Sequence, residues 1–410
     1  MKKILSLLFV VLTLNVYSQG FLTSQNIKVE FTGFVRNDFI YDSHRNVDAC
    51  DHLLDFFPTK PEYDVNGKDI NAVGSAQFLN TFSRIGTRFT GLELGKAKIG
   101  GYIEFDFTGG SMTPTVRLRQ AYTQIEWQKS KLLIGRAWHP LFVEKVYPFT
   151  LNENTGLPFQ VFNRSPQLRF THQLNKDLDL ILAAVYQYDY SNTGPDGKSY
   201  HYQRDAIIPE LHAQLQFYNQ NWVIGAAIDW KEIKPRISTT GTDGTFKTNE
   251  RLSTVTALAY LKYTNGQFEF KARSMFGQNV CENLLPSGYA VASVDYRTGA
   301  ETYTPFNHLY NWIDLTYGKA WKFGFYAGYL KNFGTTKNPV GPIYGFTTDA
   351  DMMFKISPRL IYTYKNFVFG WEISTTTVAY GTNDLSDKAK VKNTKNVTNF
   401  RNLVSVAYKF

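Results

Sequence analysis

Short and long connections alternate along this chain between segments in which apolar and polar residues alternate. Each segment spans about 9–14 residues, as expected of a tilted membrane-crossing strand. The final segment, NLVSVAYKF (402–410), places Val404, Val406, Tyr408 and Phe410 on one side of a period-two pattern. An apolar strand face at a chain end needs a packing partner, because exposed apolar edge strands promote aggregation. The pattern predicts a sheet whose oily side meets another apolar phase.

The connections set the number of strands. Short ones lie near Gly95-Lys96, Lys129-Ser130, Asn175-Lys176, Asn219-Gln220, Asn265-Gly266, Gly318-Lys319 and Lys365-Asn366. Long ones span 43–79, 108–115, 139–163, 191–204, 234–250, 280–303, 334–350 and 382–398. Seven short and eight long connections delimit about sixteen strands, an even number that brings both chain ends to the side of the tight turns. We predict an all-β fold: a transmembrane antiparallel β-barrel with short periplasmic turns and long extracellular loops.

Aromatic residues open and close several oily faces about eight positions apart, as in Trp222 to Trp230 and Trp321 to Tyr329. This spacing fits an apolar band with aromatic girdles, so we expect lipid outside and a wet lumen inside. The closing strand, 402–410, should pair with 27–39. Pro209 and Pro358 lie inside predicted strands, where each removes a ladder hydrogen bond and implies a bulge or a shifted strand boundary. Segment 116–127 has no clean oily face, which indicates either a contact with another protomer or an error of register.

The N-terminus, MKKILSLLFVVLTLNVYSQG, has a dibasic start and an apolar run too short to span a bilayer. It predicts a signal peptide over 1–18, cleavage near Ser18, and a barrel over 19–410. Mean hydropathy is -0.29. Beyond the signal, the sequence shows no apolar run long enough for a membrane-spanning helix. The chain is therefore expected to be exported to the cell outer membrane of a Gram-negative bacterium.

The net charge and the two cysteines limit the classes of partner and cofactor expected for this chain. The formal net charge is +9, but the basic residues are scattered along alternating strands of an exported chain, so we expect a small anionic solute and no nucleic acid. Cys50 and Cys281 form either one disulfide or two free thiols. Neither has the spacing of a metal site. No cofactor is predicted.

Four motifs and the chain end carry a family resemblance: SRIGTRFTG (83–91), GGYIEFDFTGG (100–110), RLRQAYTQIEW (117–127), LLIGRAWHPLF (132–142) and the terminal Phe410. With the strand count, they resemble trimeric porins of the DcaP-like group, in a version typical of Bacteroidetes. The resemblance implies a homotrimeric channel for small anionic solutes, dicarboxylates among them. It also implies that Phe410 is recognised by the barrel-assembly machinery. Unlike DcaP-like proteins, the chain has no coiled-coil heptads between Gln19 and Lys28.

Arginines concentrate in the first part of the predicted wall. Guanidinium groups hold carboxylate or phosphate in bidentate fashion and stay charged, so a lumen patch would favour anions. The candidate anion path consists of Arg36, Arg84, Arg88, Arg117, Arg119, Arg136 and Arg169. Alternatively, each arginine pairs with a wall carboxylate such as Glu104, Asp106 or Glu126 and holds neighbouring strands together.

The loop at 139–163 is unusually aromatic for a loop in water. We expect it to fold inward and narrow the pore, with Phe142, Glu144, Lys145, Tyr147 and Phe149 at the constriction. The alternative is a loop packed across the seam between protomers.

Other functions have weaker signals. Barrel hydrolases need a nucleophile joined to a histidine; His139 has no such motif nearby, so we expect a hydrogen-bonded loop histidine, no catalytic residues and no enzyme.

The acidic stretches TTDAD (347–351), GPDG (194–197) and GTDG (241–244) lack the ligand set of a strong calcium site and are expected to be solvated turns. The long loop 43–79 is compatible with an alternative function. In that case the protein is a docking barrel whose pore is occluded and whose ends recruit a partner protein.

Overall fold

A computed structural model describes residues 27–410, and the predicted signal segment 1–18 lies outside that range. Sixteen antiparallel strands close into one barrel, as the connections predicted. The strands, numbered here along the chain, are β1 Lys28–Asp42, β2 Arg84–Leu94, β3 Ala97–Asp106, β4 Arg117–Glu126, β5 Ser130–Trp138, β6 Arg164–Asn175, β7 Leu178–Val185, β8 Glu210–Tyr218, β9 Trp222–Ile233, β10 Leu252–Asn265, β11 Phe268–Gln278, β12 Ala300–Gly318, β13 Trp321–Thr335, β14 Ala350–Tyr364, β15 Phe367–Asp384 and β16 Lys390–Lys409.

The first and last strands close the barrel. β1 pairs with β16 from Phe34 opposite Lys409 to Asp42 opposite Arg401. Gly33 and Phe410 exchange both backbone hydrogen bonds, each 3.1 Å long. The predicted pairing of the C-terminal segment is therefore confirmed, and the edge of β16 is paired with β1.

Seven tight turns lie at one end of the barrel, at the predicted places. In the turn between β10 and β11, Gly266 adopts a φ of +59°, a left-handed conformation that glycine reaches without steric cost. The part of the chain that the structure describes has no helix long and apolar enough to cross a membrane.

The long connections differ in length from the predictions at several places. The predicted loop 382–398 is wrong, because β15 runs to Asp384 and β16 starts at Lys390. Its polar residues are strand residues above the oily band, where pairs such as Thr377 and Thr398 hydrogen-bond across the ladder at 2.9 Å. The first loop ends earlier than predicted, since Ser75–Leu79 pairs with β1 in continuation of β2.

Short elements fill the loops. Five further strand pairings lie within the long connections: Asn46–Ala49 with Leu54–Pro58, Thr193–Gly194 with Gly197–Lys198, Ser238–Gly241 with Gly244–Lys247, and Ser287–Asp295 with both β12 and Ile343–Phe346. One helical turn spans His201–Arg204, and 3-10 turns span Pro140–Phe142, Cys281–Asn283 and Leu385–Asp387.

The two faces of the wall follow the predicted alternation. Outward residues are oily and exposed, with Trp321 54% and Phe323 60% exposed, whereas the inward Lys355 and Arg359 of β14 are buried. Near the tight turns, Trp321 stacks on Tyr362 at 4.5 Å. Paired aromatic rings at this level fit the predicted girdle. The core thus lies within the barrel, and the oily belt faces outward.

Three irregularities in the sequence have local causes. Pro209 lies just before β8, and Pro358 lies where the β14 and β15 ladder skips from Ile356 to Arg359. In β4 the register with β3 shifts around Arg119, so the inward positions move by one residue. That bulge explains the mixed faces of 116–127.

The possible disulfide is not formed, because Cys50 and Cys281 are both free thiols. Cys50 lies in the first long loop, where its Sγ accepts a hydrogen bond from Arg117 at 3.4 Å. Cys281 is buried in the loop between β11 and β12 and receives a hydrogen bond from Asn192. The two thiols belong to different loops with separate partners.

Candidate functional site: the lumen and its crossing loop

The loop that joins β5 to β6, residues 139–163, crosses the lumen; we call it the crossing loop. Its outgoing half reaches strands far from its origin. The backbone N–H of Phe149 donates to Asp314 on β12 at 3.0 Å. That of Leu151 donates to Glu372 on β15 at 2.7 Å. Both acceptors point inward and are almost fully buried, so these bonds fix the loop inside the barrel.

The returning half packs against the same wall. Tyr326 on β13 donates its hydroxyl to the carbonyl of Gly156 at 2.8 Å. The ring of Phe159 lies directly over Gly328, where any side chain would collide with it. Gln160 accepts hydrogen bonds from Arg273 at 2.6 Å and from the Trp312 indole at 3.0 Å. The glycine and these polar anchors allow close contact between loop and wall.

The tip of the crossing loop meets the first strands of the barrel. Glu153 accepts from Arg36 at 2.9 Å and from Arg84 at 3.5 Å. Burial would raise the pKa of Glu153, but Arg36 and then Arg84 outweigh it and hold that pKa below its usual range. The loop is therefore tied to the wall at its tip as well as along both halves.

The first long loop also enters the barrel. Its hairpin carries Asp55, 2% exposed, which accepts from Lys355 at 3.0 Å and from Arg401 at 3.1 Å. Asn154 of the crossing loop also donates to Asp55, at 2.8 Å. Burial opposes ionisation, yet Arg401 and Lys355 hold the pKa of Asp55 below normal. A small cavity of about 10 Å³ lies beside Arg36 where the two loops meet.

Open space remains on the turn side of the crossing loop, in a cavity of about 420 Å³ that we call the chamber. It is lined by β2 and β4 to β8 together with the start of the loop. Four basic side chains and two carboxylates face it: Arg88, Lys131, Lys145, Arg169, Glu144 and Asp179. The side chains that line the chamber carry more positive than negative charge, although Lys131 also pairs with Glu126 outside it at 3.2 Å, and this positive lining attracts anions.

All seven predicted arginines have a carboxylate within 4.0 Å. The partners are Asp38 for Arg36, Glu153 for Arg84, Glu30 for Arg88, Asp106 for Arg117, Glu104 for Arg119, Asp189 for Arg136 and Glu144 for Arg169. Their surroundings differ greatly, since the side chain of Arg88 is 43% exposed and that of Arg119 only 2%. Arg88 and Arg169 line the chamber, whereas Arg117 and Arg119 join β3 to β4.

The five predicted constriction residues also divide into residues that line the chamber and residues that pack the crossing loop. Glu144 and Lys145 line the chamber. Phe142 is almost fully buried and stacks between Trp138 at 4.0 Å and Tyr147 at 5.2 Å. Phe149 faces the opposite wall, where Arg359 lies 5.8 Å from its ring centre. The aromatic content of this loop therefore serves its packing inside the barrel.

Several chamber residues were not singled out from the sequence. They lie on alternating positions of neighbouring strands: Tyr122, Gln124, Lys131, Thr171, Asp179, Gln214 and Gln216. A period-two search for polar residues opposite oily ones could have found them. Which alternating positions share a chamber depends on where the crossing loop lies, and that is a long-range property.

Three buried groups where the crossing loop begins could hold a metal by composition: His139, Glu210 and Asp229. Nδ1 of His139 accepts from the N–H of Leu141, which assigns the proton to Nε2. Nε2 lies 3.0 Å from Glu210 but does not have the geometry of a hydrogen bond. A protonated Nε2 offers no lone pair to a metal, so the cluster is better described as a buried polar anchor. His139 thus has the packed, hydrogen-bonded environment expected for it.

Two of the acidic loop stretches are held by cations. Lys60 pairs with Asp349 and Lys331 with Asp351, each at 2.6 Å, and Arg297 pairs with Asp243 at 2.8 Å. These carboxylates are occupied by ion pairs, two of them between loop residues and one between neighbouring strands.

No family model and no curated protein matches this chain. Among solved structures, the outer-membrane channel DcaP of Acinetobacter baumannii is similar with a TM-score of 0.68 at 16% identity, covering 95% of this chain and 99% of that one. OmpT of Vibrio cholerae gives 0.57 at 10%, covering 95% and 99%. An anion-selective porin from Comamonas acidovorans gives 0.54 at 9%, covering 94% and 100%. The predicted barrel and the DcaP-like resemblance are confirmed at the level of the fold.

Proposed function

We propose that this chain is an outer-membrane porin, a passive diffusion channel for small hydrophilic solutes with a preference for anions such as dicarboxylates. The observation that carries the proposal is the chamber beneath the crossing loop, where four basic side chains face two carboxylates. A barrel of sixteen strands is too wide for its own side chains to fill, so its lumen holds water. Basic groups on a narrowed aqueous path raise the local concentration of anions.

The similar structures support this proposal. One is described as an outer-membrane channel and another as an anion-selective porin. The oily outer face, with its aromatic pairs near the tight turns, suits a lipid bilayer. An in-vitro folded OmpT of Vibrio cholerae is described in a trimer form, which supports a homotrimer here. Recognition of Phe410 by the barrel-assembly machinery and the Bacteroidetes type remain predictions from the resemblance.

A second candidate is a docking barrel with an occluded pore. It is favoured by the hairpin of the first loop, which enters the barrel and is fixed there by Asp55. A hydrolase is favoured less, because His139 serves as an anchor for the crossing loop.

Osmotic swelling of liposomes separates these functions. Purified protein is inserted into vesicles, which are diluted into iso-osmotic succinate, glucose or a polymer too large to pass. The porin predicts swelling in both small solutes and faster entry of succinate. Absence of swelling in every solute would overturn the channel and favour the docking barrel. Equal rates for succinate and glucose would overturn the anion preference.

A further inference from the structure

The chamber beneath the crossing loop contains two cations whose charge is only weakly compensated. Nζ of Lys145 lies 4.5 Å from the ring centre of Tyr218 and pairs with no carboxylate in residues 27–410. Among the described residues, the one carboxylate that pairs with Arg88 is Glu30, at 4.0 Å, the outer limit of an ion pair. Both side chains face the same space. Their positive charge makes the chamber favourable for the carboxylate of a solute.

The chamber also has hydrogen-bonding groups that no described residue uses. The hydroxyls of Tyr122 and Thr171 line it without a protein partner in the described range. The carboxamide oxygen of Gln216 accepts from Tyr260 at 3.2 Å, which leaves its amide nitrogen free to donate. These groups come from β4, β6 and β8, so they surround the chamber from three strands. Such groups recognise hydroxyls.

The two carboxylates of the chamber limit the charge of the solute. Glu144 accepts from Arg169 at 3.3 Å, and Asp179 accepts from the hydroxyl of Tyr218 at 3.3 Å. Their remaining lone pairs would repel a second carboxylate but can accept hydrogen bonds from alcohol groups. The arrangement therefore favours binding of one negative charge surrounded by hydroxyls, whereas a dicarboxylate is attracted into the lumen but is bound more weakly.

We infer that the chamber is a binding subsite for sugar acids, that is, solutes with one carboxylate and several hydroxyls. The carboxylate binds Lys145 within the positive potential that Arg88 adds to the chamber, and the hydroxyls bind Thr171, Tyr122 and Gln216. The volume of about 420 Å³ lies in the range of small-molecule sites. The inference rests on the proposed porin function, because the solute must enter the lumen to reach the chamber.

Current block in planar bilayers tests the inference with glucuronate, glucose and succinate as probes at constant ionic strength. We expect glucuronate to interrupt the single-channel current with a half-blocking concentration at least ten times below those of glucose and succinate. Equal or stronger block by succinate would overturn the inference. An open channel that glucuronate does not block would also overturn it while leaving the porin function intact, whereas a wild-type protein without current would contradict the porin function itself.

Two variants connect the block to the chamber. Thr171→Val keeps the shape but removes the hydroxyl, so it should raise the half-blocking concentration of glucuronate several-fold and leave that of succinate unchanged. Lys145→Gln should weaken the block by both anions. Lys176→Gln in a tight turn, where the side chain is 90% exposed, is the matched control and should change neither. Unchanged glucuronate block in both chamber variants would overturn the assignment.

Discussion

The carboxylate of Glu153 lies 2.9 Å from the guanidinium of Arg36 and joins the tip of the crossing loop to the first strand of the barrel. Because Arg84 shares the same carboxylate, Glu153→Gln weakens two contacts at once, at a cost of about 1.5 kcal/mol or more. We expect a mobile tip, with higher and noisier single-channel conductance. Glu250→Gln in an outer loop is the control. A conductance identical to wild type would show that the tip does not restrict the channel.

Gly328 allows the ring of Phe159 to lie against β13. Gly328→Ala should push the returning half of the crossing loop away from the wall at a cost of about 1–3 kcal/mol. The expected result is a lower unfolding temperature in detergent together with increased conductance. Gly101→Ala is the control, since its methyl group would have its nearest neighbour at an ordinary 3.5 Å. Equal stability of the two variants would contradict this packing.

Substitution of Arg119 and substitution of Arg88 should have different effects, the first on stability and the second on anion preference. Arg119 is buried between Glu104 at 2.7 Å and Asp106 at 2.8 Å, so Arg119→Ser leaves the buried Glu104 without its closest cation, while Asp106 keeps its pair with Arg117, and should cost about 3–5 kcal/mol of stability. Arg88→Ser removes an exposed chamber charge and should weaken anion preference without changing the unfolding temperature. Thermal unfolding and the reversal potential of each variant check this. A fully stable Arg119→Ser barrel would contradict the structural role.

Acid should release the first loop only at low pH. Arg401 and Lys355 overcome the effect of burial and hold the pKa of Asp55 below normal, so its ion pairs contribute fully above the free value of about 3.9 and are lost as the pH falls through the lower, bound value. Single-channel noise should stay constant from about pH 7 to pH 5 and increase below about pH 4.

Asp55→Asn provides the comparison for the acid experiment, because it removes the ion pairs at every pH. Its noise should be high at neutral pH and should not change on acidification. A wild-type transition centred above about pH 5 would contradict the lowered pKa of Asp55.

The sequence predicted what depends on local pattern. Alternation places Val404 outside and Leu403 inside, and turn residues such as Gly266 mark the hairpins, since both properties are set by neighbours along the chain. The end of β15 at Asp384 was missed because residues beyond the oily band are polar on both faces.

The site was predictable only in part. Residues Glu144 and Lys145 were recognised from the composition of their loop, but their neighbours Thr171 and Gln216 could not be, because the chamber exists only where the loop has crossed. Likewise, the pairing of Arg119 with Glu104 depends on a bulge between β3 and β4. Sequence alternation does not reveal which lumen arginines are neutralised, since that depends on cross-strand register.

The reversal potential in a potassium chloride gradient tests the central claim most directly. Purified protein is inserted into a planar bilayer with tenfold more salt on one side, and the zero-current voltage is recorded at neutral pH. Because the chamber has more basic than acidic side chains, the account predicts a potential displaced toward the chloride equilibrium value. A potential displaced toward the potassium value would contradict it.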